Sequence, residues 1–295
     1  MNSYDITFLG HMCFDEITPY QGETKVAPGS AVLCGALAAA RTGKRVAAVV
    51  KMAEADEAIL QPMRDAGIDT YLIPAAETTW SVVIHPVADV DVRRLILKKS
   101  AGLIRIDEVP PLDSRCLHLA GISDTEFDLD LIVALAERGY ELSTDMQSYV
   151  RQVDPVTREI AFRDVPDKQA IVRHLRKVKL DVVEAKVLTG TDDLEQAALQ
   201  FEQWGCPETV ITRADGVLAR VDGATYFEAF SNRNLSGRTG RGDTTFAAYL
   251  ARRLDFGPAE SLKFAAALVS LKMERPGPFA GTLDDVLTRM REQHQ

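Results

Sequence analysis

Apolar and polar positions follow a repeating order along this chain. Short apolar runs that stop at glycine or polar residues alternate with longer stretches whose apolar residues recur at helical spacing. Residues 5–10 predict a first buried strand. Residues 28–43 predict a glycine turn, an alanine-rich helix and a glycine stop. A strand over 45–52, a helix over 57–66 ending at Gly67 and a strand over 68–74 continue a βαβ rhythm, which implies a parallel sheet with right-handed crossovers. The rhythm breaks at 78–87 and 91–99, two consecutive strand-like runs around a polar turn at Ala88-Asp89. With the short polar run over 16–28, they predict a small antiparallel lid outside the main sheet. The rhythm resumes with a strand at 115–121, a helix over 129–138, a strand ending at 142–147, a helix over 166–177 and a strand over 178–183. A helix runs from Asp192-Asp193 to Trp204-Gly205, followed by a strand at 209–212 and two short strands within 217–228. Helices are predicted from near Gly242, over 262–272 and over 284–291.

The 295 residues suffice for one large α/β domain, and the pattern predicts one, over 1–295, with lid strands inserted at about 16–28 and 78–99. A net charge of −9 argues against general nucleic-acid binding. No apolar run reaches membrane-spanning length, so no membrane partner is expected. The N-terminus carries no signal-peptide pattern, and Cys13, Cys34, Cys116 and Cys206 are widely spaced without a CxxC. Both observations predict a cytoplasmic protein with reduced, mostly buried thiols.

One stretch carries most of the chemistry: Gly237-Arg238-Thr239-Gly240-Arg241-Gly242-Asp243, leading into a predicted helix. A glycine loop at a helix N-terminus presents free backbone N–H groups and the positive end of the helix dipole, which together attract anions. Glycines keep side chains out of the way of an approaching phosphate. A carboxylate does not belong in an anion site unless it has work there, and for Asp243 that work is removing a proton from a hydroxyl that attacks the phosphate. The alternative for Asp243 is an ordinary first-turn acid favoured by the dipole. Asp15, five residues beyond Gly10, is placed past the end of the first strand, where open α/β sheets bind ligands. It either accepts hydrogen bonds from substrate hydroxyls or caps a loop. His118, inside an apolar run, reads as a core residue. Arg93, Arg94, Lys98 and Lys99 read as solvated edge-strand charges, or else as a grip on an anionic substrate.

The Gly237–Asp243 stretch resembles the second signature of the ribokinase-like (PfkB) sugar and nucleoside kinases, D-T-x-G-A-G-D. Thr239, Gly240, Gly242 and Asp243 align; Gly237, Arg238 and Arg241 depart. The resemblance implies a ribokinase-like three-layer α/β fold: a mostly parallel central sheet, helices on both faces and a small β-sheet lid. It implies ATP as phosphoryl donor, Mg²⁺, and a sugar, polyol or nucleoside acceptor, with room for a monovalent cation and for a homodimer formed through the lid. The catalytic Asp carries over to Asp243 and the anion hole to Gly240, Arg241 and Gly242. The substrate-holding Asp carries over to Asp15. The first signature, a Gly-Gly pair before an Asn at a helix start, falls on Gly29, Ser30 and Cys34, so the second Gly and the Asn are both replaced. The Asn-x-x-Glu run that helps hold Mg²⁺, largely through water, falls on Asp181 and Glu184; helix N-terminal acids are the alternative for both. The nucleotide turn falls on Thr212 and Gly216. An Asp-Pro-Asn run near the phosphates becomes Asp145-Met146-Gln147, with Arg151 nearby, and an Asp-x-Gln version resembles inositol-kinase-like branches. Three alternatives to a sugar kinase stay open. They are a phosphosugar kinase clamping with Arg93, Arg94 or Lys98, a nucleoside kinase stacking a base on Phe14 or Trp80, and a catalytically silent sugar-binding protein.

Overall fold

The computed structural model describes residues 3–88 and 92–293. The strands are β1 (Ser3–His11), β2 (Cys13–Thr18), β3 (Lys25–Gly29), β4 (Val46–Met52), β5 (Asp69–Pro74), β6 (Thr79–Ile84), β7 (Arg94–Lys99), β8 (Asp113–Leu119), β9 (Leu142–Asp145), β10 (Arg151–Val153), β11 (Ile160–Phe162), β12 (Lys177–Asp181), β13 (Glu208–Thr212), β14 (Gly216–Val221) and β15 (Ala224–Ala229). The helices are α1 (Ala31–Arg41), α2 (Gln61–Asp65), α3 (Leu129–Glu137), α4 (Gln147–Val150), α5 (Lys168–Val172), α6 (Val182–Thr189), α7 (Leu194–Gln203), α8 (Arg241–Arg253), α9 (Pro258–Met273) and α10 (Leu283–Gln293).

Nine strands form the main sheet in the order β15-β14-β13-β12-β9-β8-β1-β4-β5. The seven from β13 to β5 run parallel, and β14 and β15 close one edge antiparallel. The parallel strands are buried on both faces, as their continuous apolar runs require. One core unites Phe8, Val46 and Val210 with α1, α8 and α9 through Leu37, Phe246 and Phe264. The other unites Leu9, Leu119 and Leu180 with α3 and α7 through Leu131 and Phe201. The sheet order reverses at β1, which pairs with β4 on one side and β8 on the other. That reversal opens a crevice at the carboxyl ends of the strands. His118 lies in the core between Phe8 and Phe246, its ring centroid 5.5 and 5.2 Å from theirs, and its Nδ1 is 3.1 Å from Ser143 Oγ.

Burial lowers the His118 imidazole to about 3, so it stays neutral in the folded protein. The unfolded chain takes up that proton near the ordinary value of 6.5, so the contribution to stability is present above pH 6.5 and is lost on acidification toward 3, at about 1.4 kcal/mol per pH unit. Thermal melts between pH 6.5 and 4 are expected to fall more steeply for the wild type than for His118→Asn. Parallel slopes would remove His118 from the acid response.

A second sheet of four strands, β3-β2-β6-β7, stands apart from the first. It is mixed rather than purely antiparallel as expected: β2 pairs with β3 antiparallel but with β6 parallel, because β6 arrives after a full excursion through β4 and β5. Asp89 of the expected turn and Asp91 at the start of the expected second strand lie outside the described residues. The hairpin β10–β11 was not legible in the sequence. It docks on the edge strand β7, where Leu97 N donates to Arg158 O at 2.9 Å and Arg158 Nε donates to Leu97 O at 3.0 Å.

Several boundaries moved for local reasons. The helix expected over 57–66 is a 3₁₀ turn, Glu54–Leu60, followed by the short α2, because Pro62 suits only a first helical turn. The strand expected over 178–183 ends at Asp181, whose side chain accepts from Val183 N and Glu184 N and starts α6 two valines early. The helix expected over 166–177 shrinks to α5, and the last 3 residues of that span precede or open β12. Among the described residues no helix is long and apolar enough to cross a membrane.

Candidate active site

The site assembles where β1, β9, β12 and β13 end and α8 begins. Gly240 caps α8 at φ 77°, a conformation that favours glycine. The loop before it is pinned from beneath. Gly237 N donates to Met273 O at 2.7 Å, and a Cβ on Gly237 would lie 1.7 Å from Arg275 O. The buried Lys272 ammonium donates to Gly237 O and Thr239 O. Arg241 N donates to Arg238 O at 3.1 Å and Thr244 N to Gly240 O at 3.0 Å, which leaves the amides of Gly242 and Asp243 without intrahelical acceptors. Gly237 stands where the related signature has Asp because only a residue without a side chain fits against Arg275.

Asp243 sits in the first turn of α8, partly exposed to the crevice, and its Oδ1 accepts from Gln147 Nε2 at 3.1 Å. Gln147 is held by Gly121 O, 2.9 Å from the same nitrogen, and its backbone N donates to Asp145 Oδ1 at 3.1 Å. Asp145 Oδ2 is 2.7 Å from Lys179 Nζ, which is 3.7 Å from Glu184 Oε2. A chain of contacts therefore runs from Asp243 through Gln147, Asp145 and Lys179 to Glu184. All but Asp243 are buried. Burial works to lower the Lys179 ammonium, but Asp145 and Glu184 override it and raise it above the usual lysine range. Burial pushes the Asp145 carboxyl up, against Lys179, and the Glu184 carboxyl up to about 8. A Cβ on Gly242 would sit 2.8 Å from Lys179 Nζ, so this buried cation lies directly under the helix start.

Glu184 and Asp181 form a capping box: Asp181 Oδ1 accepts from Glu184 N at 2.8 Å, and Glu184 Oε2 accepts from Asp181 N at 2.7 Å. Glu184 Oε1 is buried and has no partner. Among the described residues no group of three or more His, Cys, Asp or Glu side chains could hold a metal ion directly. The one orphaned carboxylate oxygen fits the looser arrangement in which Mg²⁺ keeps its waters and meets the protein through them.

On the opposite wall, Asp15 lies in β2 against Gly29, where a Cβ would be 1.9 Å from Asp15 Oδ2. Cys13 Sγ donates to Asp15 Oδ1 at 3.3 Å. Burial raises the Asp15 carboxyl, the Cys13 thiol lowers it, and the Asp243 charge raises it further. Cys34 packs on the Gly237–Asp243 loop, its Sγ 2.7 Å from the position of a Cβ on Gly240, and burial pushes its thiol up to about 12. Ser30 caps α1, its Oγ accepting from Leu33 N at 3.0 Å, at φ 146°, where glycine is favoured. This is the position of the second glycine in the related signature. Ser30→Gly relieves backbone strain of about 1 kcal/mol and loses a cap worth a few tenths. The expected result is a thermal midpoint unchanged or raised; a clear fall would mean the hydroxyl cap dominates.

Two predicted nucleotide contacts take other partners here. The Thr212 side chain is buried, with Oγ1 3.4 Å from Leu180 O. Over Gly216 lies the Phe227 ring, 2.6 Å from the position of a Cβ, and Arg213 stacks on that ring while pairing with Asp215 at 2.9 Å. Thr239 is exposed on the loop. The basic residues of β7 are ion-paired at the surface: Arg94 with Glu159, Lys98 with Glu16 and Lys99 with Glu77. Phe14 and Trp80 pack on each other at 5.1 Å, and Trp80 Nε1 donates to Glu16 Oε2 at 2.8 Å. Sequence reasoning missed Lys179, whose place inside an apolar strand run gave no sign of its charge partners.

A family model described as pfkB family carbohydrate kinase matches residues 2–284. A sulfate complex of a pyrophosphate-dependent kinase in the ribokinase family is 30% identical, with TM-score 0.89 over 96% of this chain and 99% of that one. A pyrophosphate-dependent kinase of that family, complexed with a pyrophosphate analog and myo-inositol, is 28% identical, with TM-score 0.87 over 96% and 99%. The cytidine kinase of Thermococcus kodakarensis is 25% identical over 256 residues, 84% of this chain and 87% of that protein.

Proposed function

Because this chain belongs to the pfkB family of carbohydrate kinases, we propose that it transfers a phosphoryl group to a hydroxyl of a sugar or cyclic polyol, with Asp243 as general base. The observation that carries this reading is the placement of Asp243 in the first turn of α8, just past the Gly240 cap, with Gln147 Nε2 3.1 Å from its carboxylate. The donor's phosphates lie at the Gly240–Asp243 helix start, on the amides of Gly242 and Asp243, where the helix dipole favours them; the Arg241 amide is held by Arg238 O at 3.1 Å. Asp15, Gly29, Ser30 and Cys34 line the acceptor side, and Asp15 accepts from acceptor hydroxyls. Asp243 takes the proton of the attacking hydroxyl, and Gln147 keeps its carboxylate aimed. The small sheet serves as a lid within one domain. Glu184, with Asp181 beside it, would hold Mg²⁺ through water, and the ion would neutralise donor charge. Positioning and charge neutralisation supply most of the rate. Acceptors related to myo-inositol are favoured by the 28% identical relative and by the Asp145-Met146-Gln147 run.

ATP is the first reading for the donor, with Thr212, Gly216 and Thr239 bordering the nucleotide. Pyrophosphate is the second. It is supported by the two pyrophosphate-dependent relatives and by Phe227 and Arg213, which occupy the surface of the Gly216 turn where a base would rest. Release of ADP from Mg-ATP, against release of phosphate from Mg-pyrophosphate, separates them at saturating acceptor. Turnover with ATP alone removes the second reading, and turnover with pyrophosphate alone removes the first. Arg241 flanks the two anion-hole glycines and adds positive charge at the transferring group. Arg241→Ala is expected to lower kcat by about tenfold or more, within the range of one charge-assisted contact; a fall below about threefold contradicts a direct role.

A further inference from the structure

Lys272 is a buried charge bonded to backbone carbonyls. It lies in the last turn of α9, and its ammonium donates to Gly237 O and Thr239 O, in the loop that leads into α8. A buried ammonium is costly unless polar groups replace its water. Here two loop carbonyls and the negative end of the α9 dipole supply that replacement. Burial lowers the Lys272 ammonium, while Cys34 and Asp243 act in the opposite direction. Other contacts already tie this segment to the end of α9. Ser231 N donates to Ser270 Oγ at 2.8 Å, Ser236 Oγ to Glu274 O at 2.8 Å, and Gly237 N to Met273 O at 2.7 Å. These three stop at Gly237. Lys272 reaches farther, to Thr239 O, the carbonyl that precedes the Gly240 cap.

The family resemblance leaves room for a monovalent cation, and an alkali ion, like an ammonium, is held by carbonyl oxygens. At this loop a free ion does not fit. The carbonyls of Gly237 and Thr239 are taken by Lys272. Position 237, an acid in the related signature, is Gly here, and a Cβ on it would lie 1.7 Å from Arg275 O. A free ion would meet neutral oxygens, no carboxylate at 237, and a rival cation tethered to the same spot. We propose that the Lys272 side chain is a built-in monovalent cation: it fixes Gly237 O and Thr239 O, and through them the Gly242 and Asp243 amides, so that donor binding needs no free potassium or sodium. Lys272 is in this sense a positioning residue. Tethering makes the cation's arrival an intramolecular event, independent of salt concentration. The inference rests on the proposed phosphate site at those two amides.

The test uses the full chain in choline chloride, with potassium or ammonium chloride exchanged in at constant ionic strength. Amide NMR at Gly242 and Asp243 follows a titration with inorganic phosphate, and thermal melts are run without phosphate. The wild type is expected to give the same half-saturation and the same melting midpoint in all three salts. Lys272→Ala opens room at the carbonyls. In choline it should weaken phosphate binding by about tenfold or more, and ammonium or potassium should restore much of the loss and raise its midpoint. Lys272→Met fills the room without a charge, so it should lose the same affinity and recover none. A lysine that merely braces the fold predicts lower midpoints in both variants with no response to either ion, and that result overturns the proposal. So does unchanged phosphate affinity in Lys272→Met, or a wild type whose affinity or midpoint rises when potassium replaces choline. The wild-type comparison needs neither variant to fold. Absence of any phosphate titration at the two amides counts against the phosphate site instead, and the melts, which need no donor, still decide the role of Lys272.

Discussion

Asp243→Asn is expected to lower kcat by at least about a hundredfold while leaving the fold and donor affinity intact. The amide replaces the carboxylate at nearly the same volume and can still pair with Gln147, whose Nε2 is 3.1 Å from Asp243 Oδ1. What it cannot do is take a proton from the attacking hydroxyl. The loss should therefore appear in kcat, with KM for the donor little changed, because the anion-binding amides are backbone groups. A variant that keeps most of its turnover would show that another group, or solvent, receives the proton.

The second large effect is on stability. Lys179 lies between Asp145 and Glu184, and all three are buried. Lys179→Met keeps the unbranched chain, one atom shorter, and deletes its charge. Two carboxyl groups are then left in the interior without their cation, a change that typically costs about 3–5 kcal/mol. Chemical denaturation should show that loss as a lower midpoint with an unchanged slope. Adding Asp145→Asn to Lys179→Met should recover part of it, since one orphaned charge disappears. A single variant as stable as the wild type would mean that water or protonation satisfies both acids, and that the contact chain to Asp243 is not held by this ion pair.

The main sheet was legible because its strands and helices alternate with clear stops, and because buried parallel strands need continuous apolar runs. The loop into α8 stood out in the sequence for a different reason. Glycines, an acid and a helix start within seven residues point to one chemistry. What stayed hidden depends on contacts distant in sequence. Gly237 looked like a missing Asp until Arg275 O appeared at 1.7 Å from its would-be Cβ. Ser30 looked like a departure from a glycine pair, yet its φ of 146° is the conformation that glycine would have taken. The hairpin β10–β11 has only 3 residues in each strand and is supported by β7 rather than by its own pattern, so no local signal announced it. Lys179 was hidden for the reason most buried charges are: a lysine in a strand reads as an edge residue until its partners, 34 and 5 residues away, are placed beside it.

The central claim is that this crevice makes a phosphate ester on a sugar or polyol hydroxyl. It is tested most directly by phosphorus NMR of reaction mixtures containing Mg²⁺, ATP or pyrophosphate, and in turn myo-inositol, other cyclitols, sugars, sugar phosphates and nucleosides. A new phosphomonoester resonance with a cyclitol or sugar, absent with Asp243→Asn, is the predicted result. Donor consumption that yields only inorganic phosphate with every acceptor, or an ester that still forms at the wild-type rate in Asp243→Asn, would contradict it.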